Sequence, residues 1–386
     1  MMNYMKWFVL LGREKAVVRA ELTTVTSPDA VVFVDSVAIG TATPPNWDTL
    51  GGAVRAGAII AEAASKPELI TTLTTSLPAP PRTGKVSLGL SSPSLSPRDI
   101  KSFGKSLKEE YASQKGKRPR IVFPQSGTFL NAGHLQGSRL LTPPNHEILV
   151  LHHNGSWLAG VTHWQQDIRS YTKRDRERPA RDARVGMLPP KLAQSMLNLA
   201  NVTPQSHVHD PFCGTGVILT EALLKGADIS GSDAAPDMVR AALENVDWMQ
   251  NQIGAQKKLT EIFQADAQTV QLPGQTSHIV SEGYLGNPDL RDVSEKRLRE
   301  EAHNLLPLYR SFFSNLSQFP GPLTIVFALP VWFSSNSQQP IYLPILDDLP
   351  DMGYTVEQFA PDSATTLIYR RPHQTVGRAI IKLRKG

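Results

Sequence analysis

The segment that most constrains the fold of this chain is Asp210-Pro211-Phe212-Cys213-Gly214-Thr215-Gly216. It follows an apolar stretch, residues 202–208, and precedes an apolar helical pattern at residues 218–223. A strand that ends in an acidic residue and passes through a glycine turn into a helix is typical of a ligand site at the carboxyl edge of a parallel sheet. Gly214 and Gly216 allow the backbone to approach a ligand that a side chain would displace.

Acidic residues recur where the next two strands are predicted to end. Asp233 closes the segment 227–233, and Asp266 follows the strand predicted at 261–265. A carboxylate at the second position can bind both hydroxyls of a ribose. One at the third can accept a hydrogen bond from an adenine amine, and Asp210 can hold an amino group. The predicted cofactor-binding residues are Asp210, Phe212, Cys213, Gly214, Gly216, Asp233 and Asp266.

The predicted nucleoside cofactor is S-adenosylmethionine rather than NAD. A dinucleotide site uses the pattern G-x-G-x-x-G, in which the third glycine lets helix and strand pack closely beside the pyrophosphate. Leu219 stands at that third position here. S-adenosylmethionine has no pyrophosphate and does not require the third glycine. Any strand–turn–helix junction can carry two glycines, but the acidic residues before and after the turn favour a cofactor site.

Composition and length restrict the class of protein. The chain has 386 residues, enough for two or three domains, and 40% of them are hydrophobic. Its one cysteine, Cys213, excludes an internal disulfide and a cysteine-based zinc site, and we interpret it as a packing residue of the turn. No metal site is predicted. No apolar stretch reaches membrane-spanning length, so we expect a cytoplasmic protein with no membrane partner.

Charge is divided unequally along the chain. Residues 1–200 hold 25 Lys and Arg against 15 Asp and Glu, whereas residues 201–386 hold 15 against 20. A basic first half indicates contact with a polyanion, although an ordinary solvated surface would give a similar excess. The basic residues predicted to bind nucleic acid are Lys117, Arg118, Arg139, Arg174, Arg176 and Arg178.

The order of predicted elements divides the chain into four regions. Residues 1–76 carry a strand from Tyr4, a helix, one or two strands and a helix at 53–64, which is the ferredoxin-like order. Residues 83–165 form a second α+β region, and residues 166–190 form an ion-paired linker. Residues 191–386 alternate strands and helices, which predicts an α/β, Rossmann-like sheet that is mostly parallel with an antiparallel edge.

The fourth strand of that sheet is predicted at 278–281, and the reacting group is expected directly after it. Methyl transfer requires a nucleophile about 3 Å from the methyl carbon and in line with the sulfur. An exocyclic base amine needs an acceptor for its protons and an aromatic ring to stack its base. Glu282 and Tyr284 are the predicted catalytic residues; the alternative is a loop that carries both by chance.

Several segments resemble the tRNA guanosine N2-methyltransferases that act at position 10. They include Arg174-Asp175, Arg178-Pro179, the segment Gly186 to Ala193, the turn Asp210 to Gly216, and Tyr369-Arg370-Arg371-Pro372 with Gly377 and Arg378. The resemblance implies that residues 83–165 form a THUMP RNA-binding domain between the ferredoxin-like and Rossmann-like methyltransferase domains. It implies tRNA as the partner of the basic residues. Some relatives need a small activating subunit, which the sequence does not address, and we expect a monomer.

The fourth-strand motif departs from the family pattern. That pattern is usually Asp-Pro-Pro-Tyr-Gly, whereas this chain has Glu282-Gly283-Tyr284-Leu285-Gly286. The residues predict an S-adenosylmethionine-dependent RNA methyltransferase that modifies an exocyclic amine, and the resemblance implies guanine N2 of tRNA as that amine. The alternatives are a non-catalytic tRNA-binding member of the family and a DNA methyltransferase.

Overall fold

The computed structural model describes residues 6–181, 187–254, 260–287, 290, 293–334, 339–359, 364–371 and 374–386. The predictions at Tyr4, Gly186 and Pro372 lie outside the described residues. The first part of the chain contains β1 (Trp7–Leu11), α1 (Lys15–Val25), β2 (Val31–Val34), β3 (Val37–Gly40), β4 (Ala53–Ala63), α2 (Lys66–Ser76), β5 (Ser87–Ser91), α3 (Pro97–Lys115), β6 (Arg120–Val122), α4 (Ala132–Gly137), β7 (His146–His153) and β8 (Ser156–Gln165). The second part contains α5 (Ile168–Arg176), α6 (Pro190–Leu199), β9 (His207–Asp210), α7 (Val217–Leu224), β10 (Asp228–Asp233), α8 (Pro236–Ile253), β11 (Thr260–Gln264), β12 (His278–Glu282), α9 (Glu295–Ser317), β13 (Leu323–Phe333), β14 (Pro340–Tyr342), β15 (Tyr354–Glu357), β16 (Thr366–Tyr369) and β17 (Val376–Lys385).

The chain divides into two compact units. The first consists of residues 1–15, 29–47 and 53–166, and the second of residues 16–28, 48–52 and 167–386. In the first unit a single eight-stranded sheet has the order β2-β3-β1-β4-β8-β7-β5-β6. Its pairs are antiparallel except for β5 with β6 and with β7. The proposed boundaries at 76, 83, 165 and 190 stay predictions.

The helix predicted at residues 53–64 is wrong, because these residues form the strand β4. β4 pairs with β1 on one side and with β8 on the other. A Cβ at Gly57 would lie 1.9 Å from the carbonyl oxygen of Val161, so the small residue permits this close pairing. Alanine favours helix in isolation, but pairing with strands distant in sequence decides the conformation here.

The predicted linker contains the helix α5, which the sequence analysis missed. The side chain of Asp167 accepts hydrogen bonds from the backbone N–H groups of Arg169 and Ser170, which is ordinary N-capping. Tyr171 is the only buried residue among those of α5, so the helix has almost no apolar stripe for a periodicity argument to detect. The helix is instead tied to α7 by a buried ion pair between Arg174 and Glu221.

The sheet of the second unit confirms the Rossmann-like prediction. Its strand order is β11-β10-β9-β12-β13-β17-β15, with β11, β10, β9, β12 and β13 all parallel. β17 runs antiparallel to both β13 and β15. β15 and β16 also pair antiparallel with β17, so this edge of the sheet is antiparallel, as predicted.

Two buried apolar clusters cover the faces of this sheet. One joins α6 and α7 to β9 and β10, and it includes Val17 and Ala20 of the N-terminal helix α1. The other packs the long helix α9 against β12, β13 and β17 through residues such as Tyr309, Phe312 and Phe327. The strand order changes direction between β9 and β12, because β10 and β11 lie on the far side of β9 and β13 lies beyond β12. Such a switch point leaves a crevice at the carboxyl ends of the two strands. Among the described residues, none of the helices combines the length and the apolar character needed to cross a membrane.

Candidate active site

The carboxyl ends of β9, β10, β11 and β12 surround one cavity of about 450 Å³. This size lies within the range of small-molecule sites, roughly 300–1,000 Å³. Eight of the nine predicted cofactor and catalytic residues line it: Asp210, Phe212, Cys213, Gly214, Asp233, Asp266, Glu282 and Tyr284. The predictions made separately for four strand ends therefore meet in one place.

The glycine turn after β9 is built by local backbone geometry. Gly214 and Gly216 have φ angles of 49° and 78°, a left-handed conformation that glycine adopts without strain. The backbone N–H of Cys213 donates to the carbonyl of Ser232 at 2.9 Å, which ties the turn to β10. Gly216 does not line the cavity; a Cβ there would approach Ala242 of α8 to 3.3 Å. Its position indicates that it shapes the turn and permits close helix packing.

Asp233 connects the end of β10 to this turn. Its carboxylate accepts from the backbone N–H groups of Gly214 and Ala235, each at 2.9 Å. One oxygen takes each bond, and a carboxylate oxygen can accept more than one. Asp233 can therefore fix the turn and still bind a diol. The assigned ribose-binding role is compatible with this geometry and stays a prediction.

Asp210 is the most buried acidic group of the cavity. Its Oδ1 accepts from the hydroxyl of Ser281 at 2.6 Å and from the backbone N–H of Phe212 at 3.2 Å. Burial raises the pKa of Asp210 to about 7, and the carboxylates of Asp233 and Glu282 add to the rise. A cationic group in the cavity would oppose this shift, so the site is suited to bind an amino group.

Asp266 and Cys213 have simpler surroundings. Asp266 is exposed at the rim, and its Oδ1 accepts from the backbone N–H of Gln268 at 2.9 Å. This contact is an ordinary turn interaction that leaves room for a ligand amine. The Cys213 thiol is buried, and burial raises its pKa well above the usual value. The thiol therefore stays protonated, as a packing residue would.

Glu282 lies at the end of β12 and forms a buried ion pair with Arg378 of β17. The Nε of Arg378 donates to Oε1 of Glu282, and the two side chains are 5% and 17% exposed. Burial raises the pKa of Glu282, and the Arg378 guanidinium opposes that rise. Arg378 was recognised only as part of a family-like segment. Its contact with Glu282 joins residues 96 positions apart, so no local signal reveals it.

Tyr284 follows in the loop and is 52% exposed. An exposed aromatic ring beside a cavity can stack on a base, since every base has a π face. Behind the loop, the hydroxyl of Tyr309 donates to the carbonyl of Tyr284 at 2.6 Å. Tyr309 was not predicted as a site residue. Met187 and Leu188 line the cavity from the segment before α6, but in the sequence they were recognised only as part of a family-like segment.

The six predicted nucleic-acid-binding residues have different surroundings. Arg118, Arg139 and Arg176 are exposed, and Lys117 is half-buried with its Nζ donating to the Pro81 carbonyl at 2.8 Å. Their assigned role stays a prediction.

Arg174 and Arg178 are placed less favourably for nucleic acid. Arg174 is occupied by the ion pair with Glu221, and Arg178 is buried with its Nη2 donating to the Met187 sulfur at 2.8 Å. Neither side chain presents its charge to solvent as a phosphate contact requires.

Comparison with known proteins identifies the class of this site. Residues 178–282 match the sequence model of a family described as the RMKL-like methyltransferase domain, UPF0020. The matched residues lie within the second unit, so this part of the chain is similar to that methyltransferase domain.

Among curated relatives, the chain is similar to tRNA (guanine(10)-N2)-dimethyltransferases. That of Methanothermobacter thermautotrophicus is 33% identical over 139 residues, which is 34% of this chain and 36% of the relative. That of Pyrococcus abyssi is 32% identical over 124 residues, which is 31% of this chain and 36% of the relative. The matched segments span about a third of these relatives.

Solved structures agree with the fold over nearly the whole chain. The structure of TrmN from Thermus thermophilus superposes with a TM-score of 0.54 at 17% identity and covers 99% of this chain and 100% of that one. At this identity the likeness concerns the fold alone. It extends beyond the segment matched by the methyltransferase family to both compact units.

Proposed function

We propose that this protein transfers a methyl group from S-adenosylmethionine to an exocyclic base amine of tRNA, namely N2 of guanine. The observation that carries the proposal is the convergence of Asp210, Asp233, Asp266 and Glu282 on one cavity. The match to a methyltransferase family and the names of the curated relatives support the same reaction and the same class of substrate.

The residues of the cavity fit the cofactor. The buried carboxylate of Asp210 would hold the amino group of the methionine part, and Asp233 would hold the ribose hydroxyls. Asp266 would accept from the adenine amine, while Phe212 supplies apolar surface beside the turn. When bound, S-adenosylmethionine supplies an electrophilic methyl group on a positively charged sulfur.

The loop after β12 would hold the acceptor. The lone pair of an exocyclic base amine is delocalised into the ring, which makes the amine a weak nucleophile. Glu282 accepts a hydrogen bond from that amine and orients its nitrogen toward the methyl group, while the exposed ring of Tyr284 stacks on the base. Orientation of this kind accelerates the reaction because the entropic cost of aligning the two reacting groups is met on binding, before the chemical step.

The first unit and the segment before α6 would bind the rest of the tRNA. We propose that residues 83–165 are a THUMP-like RNA-binding domain that follows a ferredoxin-like domain at 1–76. The exposed Arg118, Arg139 and Arg176 would contact phosphates. We further propose that the protein is a cytoplasmic monomer. If it requires a small activating subunit, the isolated chain has low activity.

Two other functions make different predictions. A non-catalytic tRNA-binding protein would bind cofactor and tRNA without turnover. A DNA methyltransferase would transfer methyl groups to duplex DNA in preference to tRNA. The names of the curated relatives favour tRNA over DNA.

The test is transfer of labelled methyl from S-adenosylmethionine to unmodified tRNA, with duplex DNA as the competing substrate. We expect label in tRNA, and a loss of about 100-fold or more in Glu282→Gln, because removal of a positioned acceptor commonly costs 10²–10⁴-fold. Glu261→Gln is the matched control, since Glu261 is exposed on β11 and does not line the cavity. Label in DNA alone, or cofactor binding without transfer to either nucleic acid, would contradict the proposal.

A further inference from the structure

The loop that follows Glu282 contains two glycines, yet it is held at three points. The backbone N–H of Gly283 donates to the carbonyl of Ala328 at 3.1 Å. The hydroxyl of Tyr309 donates to the carbonyl of Tyr284 at 2.6 Å, and the N–H of Asn287 donates to Glu301 at 3.0 Å. Glycine has many conformations available in an unrestrained loop, so these contacts decide where the loop lies.

Gly283 and Tyr309 form a matched pair. A Cβ at position 283 would lie 2.4 Å from the hydroxyl oxygen of Tyr309 and 2.7 Å from a ring carbon of Phe327. These separations are far below van der Waals contact, so the phenol occupies the space that any other residue at 283 would need. The glycine is therefore required by the tyrosine behind it. Tyr309 is fully buried, which leaves its hydroxyl no solvent partner in place of the Tyr284 carbonyl.

The ring of Tyr309 also contacts the cofactor side of the cavity. It stacks against Phe212 of the glycine turn with a centroid distance of 6.4 Å and an interplanar angle of 30°. Both rings pack edge-on against Phe327, at 5.9 Å for Phe212 and 6.1 Å for Tyr309. One side chain of α9 thus touches the turn that borders the cofactor region and the loop that carries the predicted acceptor residues.

We infer that Tyr309 is a positioning residue for methyl transfer, which holds the Glu282–Tyr284 loop in fixed relation to the turn at Phe212. The inference rests on the proposed function, because it assigns that loop to the acceptor base. In-line transfer depends on alignment of two bound groups, and misplacement by a fraction of an ångström lowers the rate without preventing either group from binding. Tyr309 therefore affects turnover and not cofactor affinity.

The first test is Tyr309→Phe, which keeps the ring and removes only the hydroxyl. We expect kcat for tRNA methylation to fall about tenfold, the effect of one well-placed hydrogen bond. The dissociation constant of S-adenosylhomocysteine and the KM for tRNA should change less than about twofold, since the ring contacts remain. The matched control is Tyr354→Phe, because its hydroxyl is also buried and donates to a backbone carbonyl, that of Phe313 at 2.7 Å, outside the cavity. The control should keep the wild-type kcat.

The second test uses the matched pair. Gly283→Ala should lower kcat strongly in the wild-type background and somewhat less in the Tyr309→Phe background, because the nearest atom that a Cβ meets, the phenol oxygen at 2.4 Å, is gone while the ring carbons at 2.7 and 2.9 Å remain. Equal losses in the two backgrounds, or a Tyr309→Phe enzyme with the wild-type kcat, would overturn the inference while the wild-type protein still methylates tRNA. A wild-type protein that binds cofactor but transfers nothing would instead remove the proposed function, and this inference with it.

Discussion

The two sides of the cavity are held in place by different means. The turn after β9 is fixed by its own glycines and by Asp233, whose carboxylate lies 2.9 Å from the Gly214 nitrogen, within 24 residues of sequence from 210 to 233. The loop after β12 is fixed by side chains from other elements, namely Tyr309 and Glu301 of α9 and Arg378 of β17. A site can thus have one half specified locally and the other specified by the assembled fold.

This difference indicates how the two halves can change independently. The turn after β9, called the cofactor half because we propose that it binds the cofactor, depends on the residue types of one short motif. The loop after β12, called the acceptor half because we propose that it holds the acceptor base, depends on contacts between residues 14 to 96 positions apart, so its sequence can vary if its partners vary with it. Glu282-Gly283-Tyr284 can therefore depart from the Asp-Pro-Pro-Tyr pattern of the resembling family, because Tyr309 and Arg378 restrain it.

The largest effect on the cofactor half is expected from Asp233→Ala. This change removes the predicted ribose contact and the acceptor for the Gly214 and Ala235 N–H groups. We expect S-adenosylhomocysteine to bind about 100-fold more weakly, which corresponds to about 2.7 kcal/mol and to the loss of one or two charged hydrogen bonds. Isothermal titration calorimetry measures the change. Asp237→Ala is the control, since Asp237 is exposed on the first turn of α8; equal weakening in both variants would refute the assignment.

On the acceptor half, Arg378→Met should leave cofactor binding intact and impair turnover. Loss of the guanidinium removes the charge that opposes the raised pKa of Glu282, so its carboxyl becomes more protonated at neutral pH. We expect kcat at pH 7 to fall about 30-fold, less than the 10²–10⁴-fold of a lost acid–base group because Glu282 itself remains, and we expect the loss to become smaller as the pH rises.

A pH–rate profile tests this directly, and Arg384→Met is the control on the same strand. Arg384 pairs with Glu357 but is 66% exposed, and exposed pairs contribute about 0–1 kcal/mol. A variant whose rate loss is the same at every pH would show that Arg378 acts by some route other than the charge of Glu282.

Cofactor binding should depend on pH through Asp210. Its pKa of about 7 means that only part of the population carries the charge suited to an amino group at neutral pH. We expect S-adenosylhomocysteine to bind about tenfold more weakly at pH 6 than at pH 8, and Asp210→Asn to remove this dependence.

The stability of the unliganded protein should show the opposite trend. Because the pKa of Asp210 is raised on folding, its protonated form stabilises the native state below the unfolded value near 4, and this contribution is lost as the pH rises to 7. Glu221 is buried with a raised pKa as well, but it does not line the cavity. Titration of Asp210→Asn with S-adenosylhomocysteine therefore separates the effect of Asp210 from that of Glu221. If binding to this variant depends on pH as in the wild type, the dependence belongs to another group.

The smallest effect is expected from Asp266→Asn. The side chain is exposed, and its predicted contact is one hydrogen bond to an adenine amine. We expect about threefold weaker binding of S-adenosylhomocysteine with kcat unchanged, in keeping with the modest value of an exposed hydrogen bond. A competition assay against an analogue that lacks the amine should show no difference between this variant and the wild type.

The sequence predicted the local half of the site well and the assembled half only in outline. The strand ends at Asp210, Asp233 and Glu282 were found because each acidic residue follows an apolar segment of strand length. The roles of Arg378, Ser281 and Tyr309 were missed, since each acts through a residue far away in sequence. The same limit explains β4, whose alanines favour a helix until β1 and β8 pair with it.

Charge counting had a similar limitation. It identified a basic first half but could not separate exposed arginines such as Arg118 and Arg176 from Arg178, which is buried. Arg178 contacts the Met187 sulfur, and no periodic signal in the sequence reveals that contact.

The most direct test of the account is nucleoside analysis of unmodified tRNA after incubation with the protein and labelled S-adenosylmethionine. We expect label in N2-methylated guanosine, present with the wild type and Glu261→Gln and reduced about 100-fold or more with Glu282→Gln. Label in a different nucleoside would contradict the assignment of the acceptor. No label from a protein that binds S-adenosylhomocysteine, with or without a partner subunit, would contradict the claim that this loop performs methyl transfer.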